Sequence, residues 1–569
     1  MRWLILALLL PNAAAHPMLV GVAPDLPGGV EGFAVGSDGP WDLSGWTVGD
    51  GEGTVALPDV HLAAGEALWL ASNATAWLGL QGFAPVRGYQ PGRLHLSDAG
   101  ESLMLIDPGG REMDDFAWGD GKADAMAETV NRTSSGLVYV RDAAWPDTDS
   151  ASDWRTPRMH RIGESHLAAA TFTVHWLTLY SSPDSSHEVL AGLVAGARQR
   201  LHLHVYELGS LDLAHAMAEA RRASPALDLQ VLVDSSPVGF TAPQRHRETQ
   251  ALLDVQGAGG TTLLAGHGRY DDHHLKVLVA DDAVAVQSEN WVESGVPRDP
   301  STGNRGWGVV VHDKAVADWF DAWMQGDRDA WDTRPFDLGF DPLFRAVPQT
   351  PPAAGLYGPV VPAVEVTGDF QVTPLVAPDM TQDPRHDPLA ALVAAAHASV
   401  SVQELDLATG AANPLGWSSA DPLLEALAAA AARGVTVRVQ AAAPFSADDV
   451  GNGPALDWLS AHGVATEVLD RPGLTTLHNK GLAADGTVVV GSMNGNHHSR
   501  SANREVDLAV SGPGVAEWFQ ALFDSDWDGG RRGRDASVIA TDIHALPGAP
   551  LPSLLALVGV ATAVRSRRP

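Results

Sequence analysis

Hydrophobic spacing divides the chain into five stretches. Met1 to Leu10 is a continuous apolar run with Arg2 near its start, closed by Pro11 and followed by Ala13-Ala14-Ala15. A basic start, an apolar middle and small residues at the end predict an export signal over residues 1–15, removed after Ala15. Over residues 16–155 the apolar runs become short, as in Ala67-Leu-Trp-Leu70 and Ser102-Leu-Met-Leu-Ile106, and clusters of Gly, Pro, Asp and Asn separate them. That spacing predicts a β-sandwich of short strands. From residue 168 the pattern lengthens into helices alternating with strands, the mark of layered α/β sheets. Helical stretches are expected at Leu193–Ala197, Leu213–Arg222, Leu392–Ala396 and Pro422–Arg433, strands ending on Val205–Leu208 and Val402–Leu405, and strands at Leu229–Val233 and Val435–Val439.

These α/β elements come in two matching sets, residues 168–345 and 363–530. Both sets close alike, on Val316-Ala-Asp-Trp-Phe320 and Val515-Ala-Glu-Trp-Phe519, and the Pro- and Gly-rich segment from Thr350 to Pro362 reads as a linker. The fold class expected is α/β, two pseudo-repeated lobes of mixed sheet flanked by helices, preceded by an all-β sandwich. The last stretch, 545–569, holds an uncharged run from Leu551 to Val564 and then Arg565-Ser-Arg-Arg568. An apolar run of near-spanning length followed by basic residues predicts a C-terminal membrane anchor or sorting tail.

The repeat also carries polar groups in register. His274, Lys276 and Asp281 form H-x-K-x4-D, followed by Gln287-Ser288-Glu289-Asn290; His478, Lys480 and Asp485 repeat the spacing, followed by Gly491-Ser492-Met493-Asn494. Two empty copies of a fold would have no reason to keep His and Lys at the same places. Cleaving a phosphodiester needs a nucleophile, a proton for the leaving oxygen and positive charge on the phosphoryl oxygens. Two imidazoles supply the first two, and two lysines with Ser and Asn donors supply the third.

The paired motifs resemble the phospholipase D superfamily, in which two such segments build one site across a shared cleft. The resemblance covers roughly residues 170 to 530. It implies that His274 attacks to form a phosphohistidine and that His478 protonates the leaving group and then activates water or an alcohol. The residues themselves leave open which histidine attacks. It further implies that Lys276, Lys480, Asn290 and Asn494 hold the phosphate, with Ser288 and Ser492 beside them, and that Glu505 pairs with a catalytic histidine. Asp281 and Asp485 complete the two motifs but stand too far along them to touch phosphate, and are expected to orient neighbouring groups. The first copy departs from the pattern, with Gly306 where the second has Glu505 and Gln287 where the second has Gly491. The phrases Asp42-Leu-Ser-Gly-Trp46, Leu96 to Asp107 and Asp114 to Gly119 resemble a lamin-tail domain, an immunoglobulin-like module, over 16–155.

Charge and composition narrow the setting. Acidic residues number 69 against 37 basic ones, for a formal net charge of −32. Such a surface repels polyanions except where salt screens it. The chain has four lysines, Lys122, Lys276, Lys314 and Lys480, two of them in the motifs, and no cysteine. Thiolate chemistry, disulfides and Cys-ligated zinc are thereby excluded. No His, Asp and Glu cluster with ligand spacing competes with the motifs, so no metal or other cofactor is expected. The combined expectation is an exported, membrane-anchored phosphodiesterase acting on phospholipid headgroups from one monomeric unit. An extracellular nuclease of the same superfamily and a noncatalytic surface-binding protein are the alternatives.

Overall fold

The computed structural model describes residues 16–527 except 27, 38–39, 63–66, 82–84, 86, 90–93, 98, 123–129, 131–136, 142–150, 152–153, 155–157, 160–169, 339–354, 359–360, 379–386, 409–420, 444–450 and 470. The expected export signal and the C-terminal run lie outside the described residues. Among the described residues no helix is long and apolar enough to cross a membrane. The chain divides into two compact units near residue 162.

The first unit is built of strands, as the short apolar runs predicted. A six-stranded sheet runs in the order Arg158–Met159, Leu137–Val140, Pro17–Leu26, Val30–Ser37, Ala67–Ala71 and Arg87–Gly88. A four-stranded sheet runs Glu112–Gly119, Gly100–Ile106, Thr47–Gly49 and Thr54–Ala56. Along Gly100–Ile106 the buried residues are Leu103 and Leu105 while Ser102 and Met104 are half-buried, the period-two alternation of a strand with one face on a core. Phe116 and Trp118 stack with ring centroids 5.6 Å apart inside this unit. One short helix, Ala74–Gln81, interrupts the pattern; Asn73 accepts the amide of Ala76 at its start.

The second unit holds both α/β sets in one 16-stranded mixed sheet. From the outer edge of the first lobe the order is Thr333–Pro335, Thr261–Ala265, Asp228–Asp234, Arg200–Val205, Lys276–Ala280, Ala283–Gln287, Gly303–His312 and Phe172–Ser182. The second lobe follows in mirror order: Val364–Ala377, Glu505–Ser511, Thr487–Gly491, Lys480–Ala484, Ser399–Glu404, Thr436–Ala441 and Ala465–Val468. The lobes join where Phe172–Ser182 pairs antiparallel with Val364–Ala377, Phe172 facing Val372. In each lobe three strands outside the motif pair in parallel, as βαβ crossovers require, with Thr333–Pro335 added antiparallel at the first lobe's edge, and the motif strands pair antiparallel, as hairpins allow.

Helices cover both faces. Lys314–Arg328 and Val515–Asp526 share the central core, where Phe320, Trp323, Trp518, Phe519 and Phe523 pack on the valines of the motif hairpins. The opposite faces carry separate cores, one under Ser186–Gly196, Leu211–Ala223 and Ala242–Gly257, the other under Pro388–Ala395, Pro422–Ala432 and Gly453–Ala461. The expected helix at Leu213–Arg222 falls wholly within its element, and the other three do so apart from their last residue. The strands expected to end on Val205–Leu208 and Val402–Leu405 run Arg200–Val205 and Ser399–Glu404, so they stop three residues and one residue before the expected ends. The apolar V-x-E-L phrase marked the end of a fully buried strand, whose continuous burial hides the alternation that would have located its start.

Two buried ion pairs bind the lobes reciprocally. Arg305 of the first lobe reaches Asp526 of the second at 2.7 Å, and Arg504 of the second reaches Asp327 of the first at 3.1 Å. Each aspartate ends the last helix of its lobe or lies one residue short of that end. Arg305 is also held by Asp184 and by the Tyr357 hydroxyl, with all its partners out of solvent. Breaking such a pair leaves a buried charge unpaired and costs about 3–5 kcal/mol.

Candidate active site

The two motifs occupy the same place in each lobe. Lys276 opens the strand Lys276–Ala280 and Asp281 follows it at the turn into Ala283–Gln287; Lys480 and Asp485 repeat this around Lys480–Ala484 and Thr487–Gly491. A five-residue strand rises about 17 Å. The aspartates therefore stand at the far end of the strand from the histidines.

There they serve the backbone. Both have φ of 49°, the left-handed region that Asp tolerates better than most residues. Asp281 accepts the amides of Arg198, Gln199 and Arg200, and Asp485 those of His397, Ala398 and Ser399, at 2.7 to 3.1 Å. These contacts orient neighbouring backbone, and the place of the aspartates in the motif reflects a hairpin turn rather than the reacting centre. The serines bind backbone as well. Ser288 accepts the amide of Trp307 at 3.1 Å and Ser492 that of Val506 at 3.0 Å, both fully buried, so each pins two strands together.

The histidines meet across the lobe junction. The amide of His274 donates to the carbonyl of Arg504, and that of His478 to the carbonyl of Arg305, at 3.0 and 2.9 Å. The ion-paired arginines thus set the backbone that carries each imidazole on the opposite lobe. His274 Nδ1 lies 2.8 and 3.0 Å from the two carboxylate oxygens of Glu505, so it donates and leaves Nε2 for chemistry. Ser499 Oγ and Asn503 Nδ2 hold that carboxylate at 2.7 and 3.1 Å. His478 Nδ1 lies 3.1 Å from the carbonyl of Ser288 and 3.3 Å from Glu289 Oε2.

Lys276 Nζ and Lys480 Nζ each donate to the carbonyl of the histidine two residues before, at 2.8 Å in both lobes. Lys480 Nζ also stands 3.2 and 3.4 Å from the ring nitrogens of His478. Both asparagines keep a buried side-chain oxygen without a hydrogen-bond partner, and Asn290 Nδ2 is 3.4 Å from Glu207. Glu207 also lines a cavity of about 300 Å³ with Phe240, Arg247, Glu248 and Glu293.

Burial sets the protonation states. It pushes His274 well below the ordinary imidazole value, helped by Lys276 and Lys480, so His274 is neutral at neutral pH. His478 is lowered by burial and by Lys480. Lys276 is lowered well below a free lysine, and Lys480 to about 8, both by burial first. Glu505 is pushed up to about 7 by burial, against Lys276 and its hydrogen-bond donors. Two lysines, two neutral imidazoles and a buried carboxylate in one place form an anion site awaiting a counter-charge.

Residues 389–527 match the family described as "Cardiolipin synthase, PLD-like domain". The second lobe is similar to that PLD-like domain. The first lobe repeats its strands in mirror order, with Thr333–Pro335 added at the outer edge. Solved structures similar to the chain include a phosphatidylserine synthase from Haemophilus influenzae, 12% identical over 62% of this chain and 86% of that one, TM-score 0.45. They also include the phospholipase D family member Nuc from Salmonella typhimurium, 17% identical over 30% and 99%, TM-score 0.23. NucT from Helicobacter pylori is 16% identical over 29% and 100%, TM-score 0.23. No curated protein sequence matches the chain significantly.

Several residues around the PLD-like domain's site were not legible as functional. Tyr206 sets its ring edge-on to His274 at 4.7 Å and under Lys276 Nζ at 5.3 Å, its hydroxyl donating to Asp272. Glu289 was quoted in the first motif but given no role. The signal was present, since an acid appears at 289 where the other copy has Met493. Two groups of potential metal ligands also assemble from distant parts of the chain: His204, His273 and Asp327, and Asp234, His267 and Asp272. In the first, Asp327 is already shared by Arg269 and Arg504; in the second, Asp234 accepts the His273 amide and His267.

Proposed function

We propose that this protein is a phosphodiesterase that cleaves or transfers phospholipid headgroups through a phosphohistidine. The observation that carries the chemistry is the pairing of His274 Nδ1 with Glu505 from the opposite lobe, beside two lysines and a second imidazole. In this reading His274 Nε2 attacks phosphorus, the bond from phosphorus to the leaving oxygen breaks, and His478 gives that oxygen its proton. His478 then takes a proton from water or an alcohol, whose oxygen displaces His274 from phosphorus. Glu505 keeps the attacking ring in one tautomer and offsets the charge it acquires. Lys276 and Lys480 neutralise the phosphoryl oxygens, and the asparagine side chains bind beside them. A bound phosphodiester between the two lysines in turn raises the proton affinity of His478, which readies it as the acid.

The lipid reading is supported by the description of the family matched by residues 389–527, which names cardiolipin synthase. It is supported also by the net charge of −32, which disfavours a polyanionic substrate. The cavity beside Asn290 is of headgroup size. Export and a C-terminal anchor are part of the proposal, on the evidence of residues 1–15 and 545–569 alone, and would put the site at the outer face of a membrane. The test offers purified protein mixed phosphatidylcholine and phosphatidylglycerol vesicles, and single- and double-stranded DNA, at low and high salt. Headgroup release or a phosphatidyl-alcohol, lost in both His274→Ala and His478→Ala, is expected. Degraded DNA with intact lipid would transfer the proposal to a nuclease, and full turnover in either variant would refute the shared site.

A further inference from the structure

The two half-sites reach the same end by different residues. In each lobe the strand that follows the motif turn runs antiparallel to the next strand in the chain, Gly303–His312 or Glu505–Ser511. Gln287 faces Gly308 in one, and Gly491 faces Asp507 in the other. Carrying the register two residues further sets Glu289 opposite Gly306 and Met493 opposite Glu505. At this cross-strand position one lobe has acid and glycine, and the other has an apolar residue and acid.

We propose that Glu289 is the positioning acid for His478, set one strand over from where the other lobe carries Glu505, and that Gly306 is the space it requires. A side chain at 306 would collide with Glu289 Oε1, and its Cβ would lie 2.6 Å from both Glu289 Cγ and Ser288 Oγ. Contacts that close force a neighbour to move. The supporting contacts are reciprocal as well. Asn304 Nδ2 donates to Glu289 Oε2 at 3.1 Å, and Asn503 Nδ2 donates to Glu505 Oε1 at 3.1 Å. Each asparagine precedes the arginine that crosses to the other lobe. Glu289 is fully buried, 1% exposed, and its Oε1 has no hydrogen-bond partner, so its position is not explained by satisfaction elsewhere.

The relocation changes the grip. Glu505 meets His274 Nδ1 with both oxygens, whereas Glu289 shares His478 Nδ1 with the Ser288 carbonyl at longer range. The Nδ1–H of His478 is held mainly by a neutral carbonyl, a looser grip that fits a ring passing a proton to a leaving group rather than one attacking phosphorus. The charged and titratable groups facing His478 are Lys480 from its own strand and Lys276, His274 and Glu289 from the other lobe. Of these, Glu289 is the one that draws a proton onto it.

This inference rests on the phosphodiesterase reading, and the experiment separates the two. The full chain is assayed on bis(p-nitrophenyl) phosphate across pH. Turnover by the parent chain tests the reading itself. Given that turnover, Glu289→Gln is expected to lower kcat about ten- to a hundredfold with little change in KM, and to move the basic limb of the profile to lower pH. The double variant Glu289→Met, Gly306→Glu transplants the other lobe's arrangement and is expected to regain about tenfold or more over Glu289→Met alone. A Glu289→Gln profile that coincides with the parent's overturns the proposal. So does a folded double variant no faster than Glu289→Met.

Discussion

Glu505 offers the sharpest test of how the lobes cooperate. Glu505→Gln keeps the size of the side chain and removes its charge, so Ser499 and Asn503 retain a carbonyl oxygen to which they can donate. What is lost is the charge-assisted bond from His274 Nδ1, held at 2.8 and 3.0 Å to a carboxylate fully out of solvent. A hydrogen bond to a charged partner contributes about 1.5–3 kcal/mol. If that strengthens as the attacking ring becomes positive, the loss appears in the rate. At about 1.4 kcal/mol per tenfold, kcat should fall about 10- to 150-fold. The fall should be larger if the new amide donates to Nδ1 and forces the proton onto Nε2, the atom that must attack. Single-turnover measurement of the phosphohistidine separates this from product release: formation should slow by the same factor as kcat, with KM nearly constant. Far-ultraviolet circular dichroism and the unfolding midpoint should match the parent chain. Formation within threefold of the parent would show that the carboxylate does not support His274, and the cross-lobe dyad would fall as an explanation.

Other outcomes follow from the same geometry. Asp526→Ala strips Arg305 and Arg471 of a shared buried carboxylate, and should destabilise the second unit by about 3 kcal/mol or more in urea unfolding; an unchanged midpoint would mean the lobes are held by apolar packing alone. Lys480, lowered to about 8 by burial, is charged below that pH and neutral above it, so KM for an anionic phosphodiester should rise as pH climbs past about 8; a KM flat to pH 10 would remove Lys480 from phosphate binding. Asp485→Ala should cost about 1–2 kcal/mol of stability by freeing three amides, while the folded protein keeps kcat within about threefold; a hundredfold drop in kcat without loss of stability would restore the aspartate to the reacting centre.

The chain's periodicities and its internal repeat were enough to announce an all-β unit, two α/β lobes and the paired His and Lys. They are local or translational features: a strand alternates, a helix repeats, and a duplicated fold repeats its residues at one spacing. The motif spacing itself encoded a hairpin, five strand residues and then a turn at Asp281 or Asp485, so the letters were legible while their roles were not. Which group each side chain meets was decided by tertiary structure. Ser288 and Ser492 look like donors in sequence and are strand pins in space. Glu289 and His478 lie 189 positions apart, and nothing between them sets their distance. They meet because the central strands Phe172–Ser182 and Val364–Ala377 pair, which turns Gly303–His312 and Glu505–Ser511 each toward the other lobe's histidine. The protonation states follow from that closure. A lysine or a glutamate titrates far from its ordinary value when burial removes water from around it, and burial belongs to the assembled pair of lobes rather than to either stretch of chain.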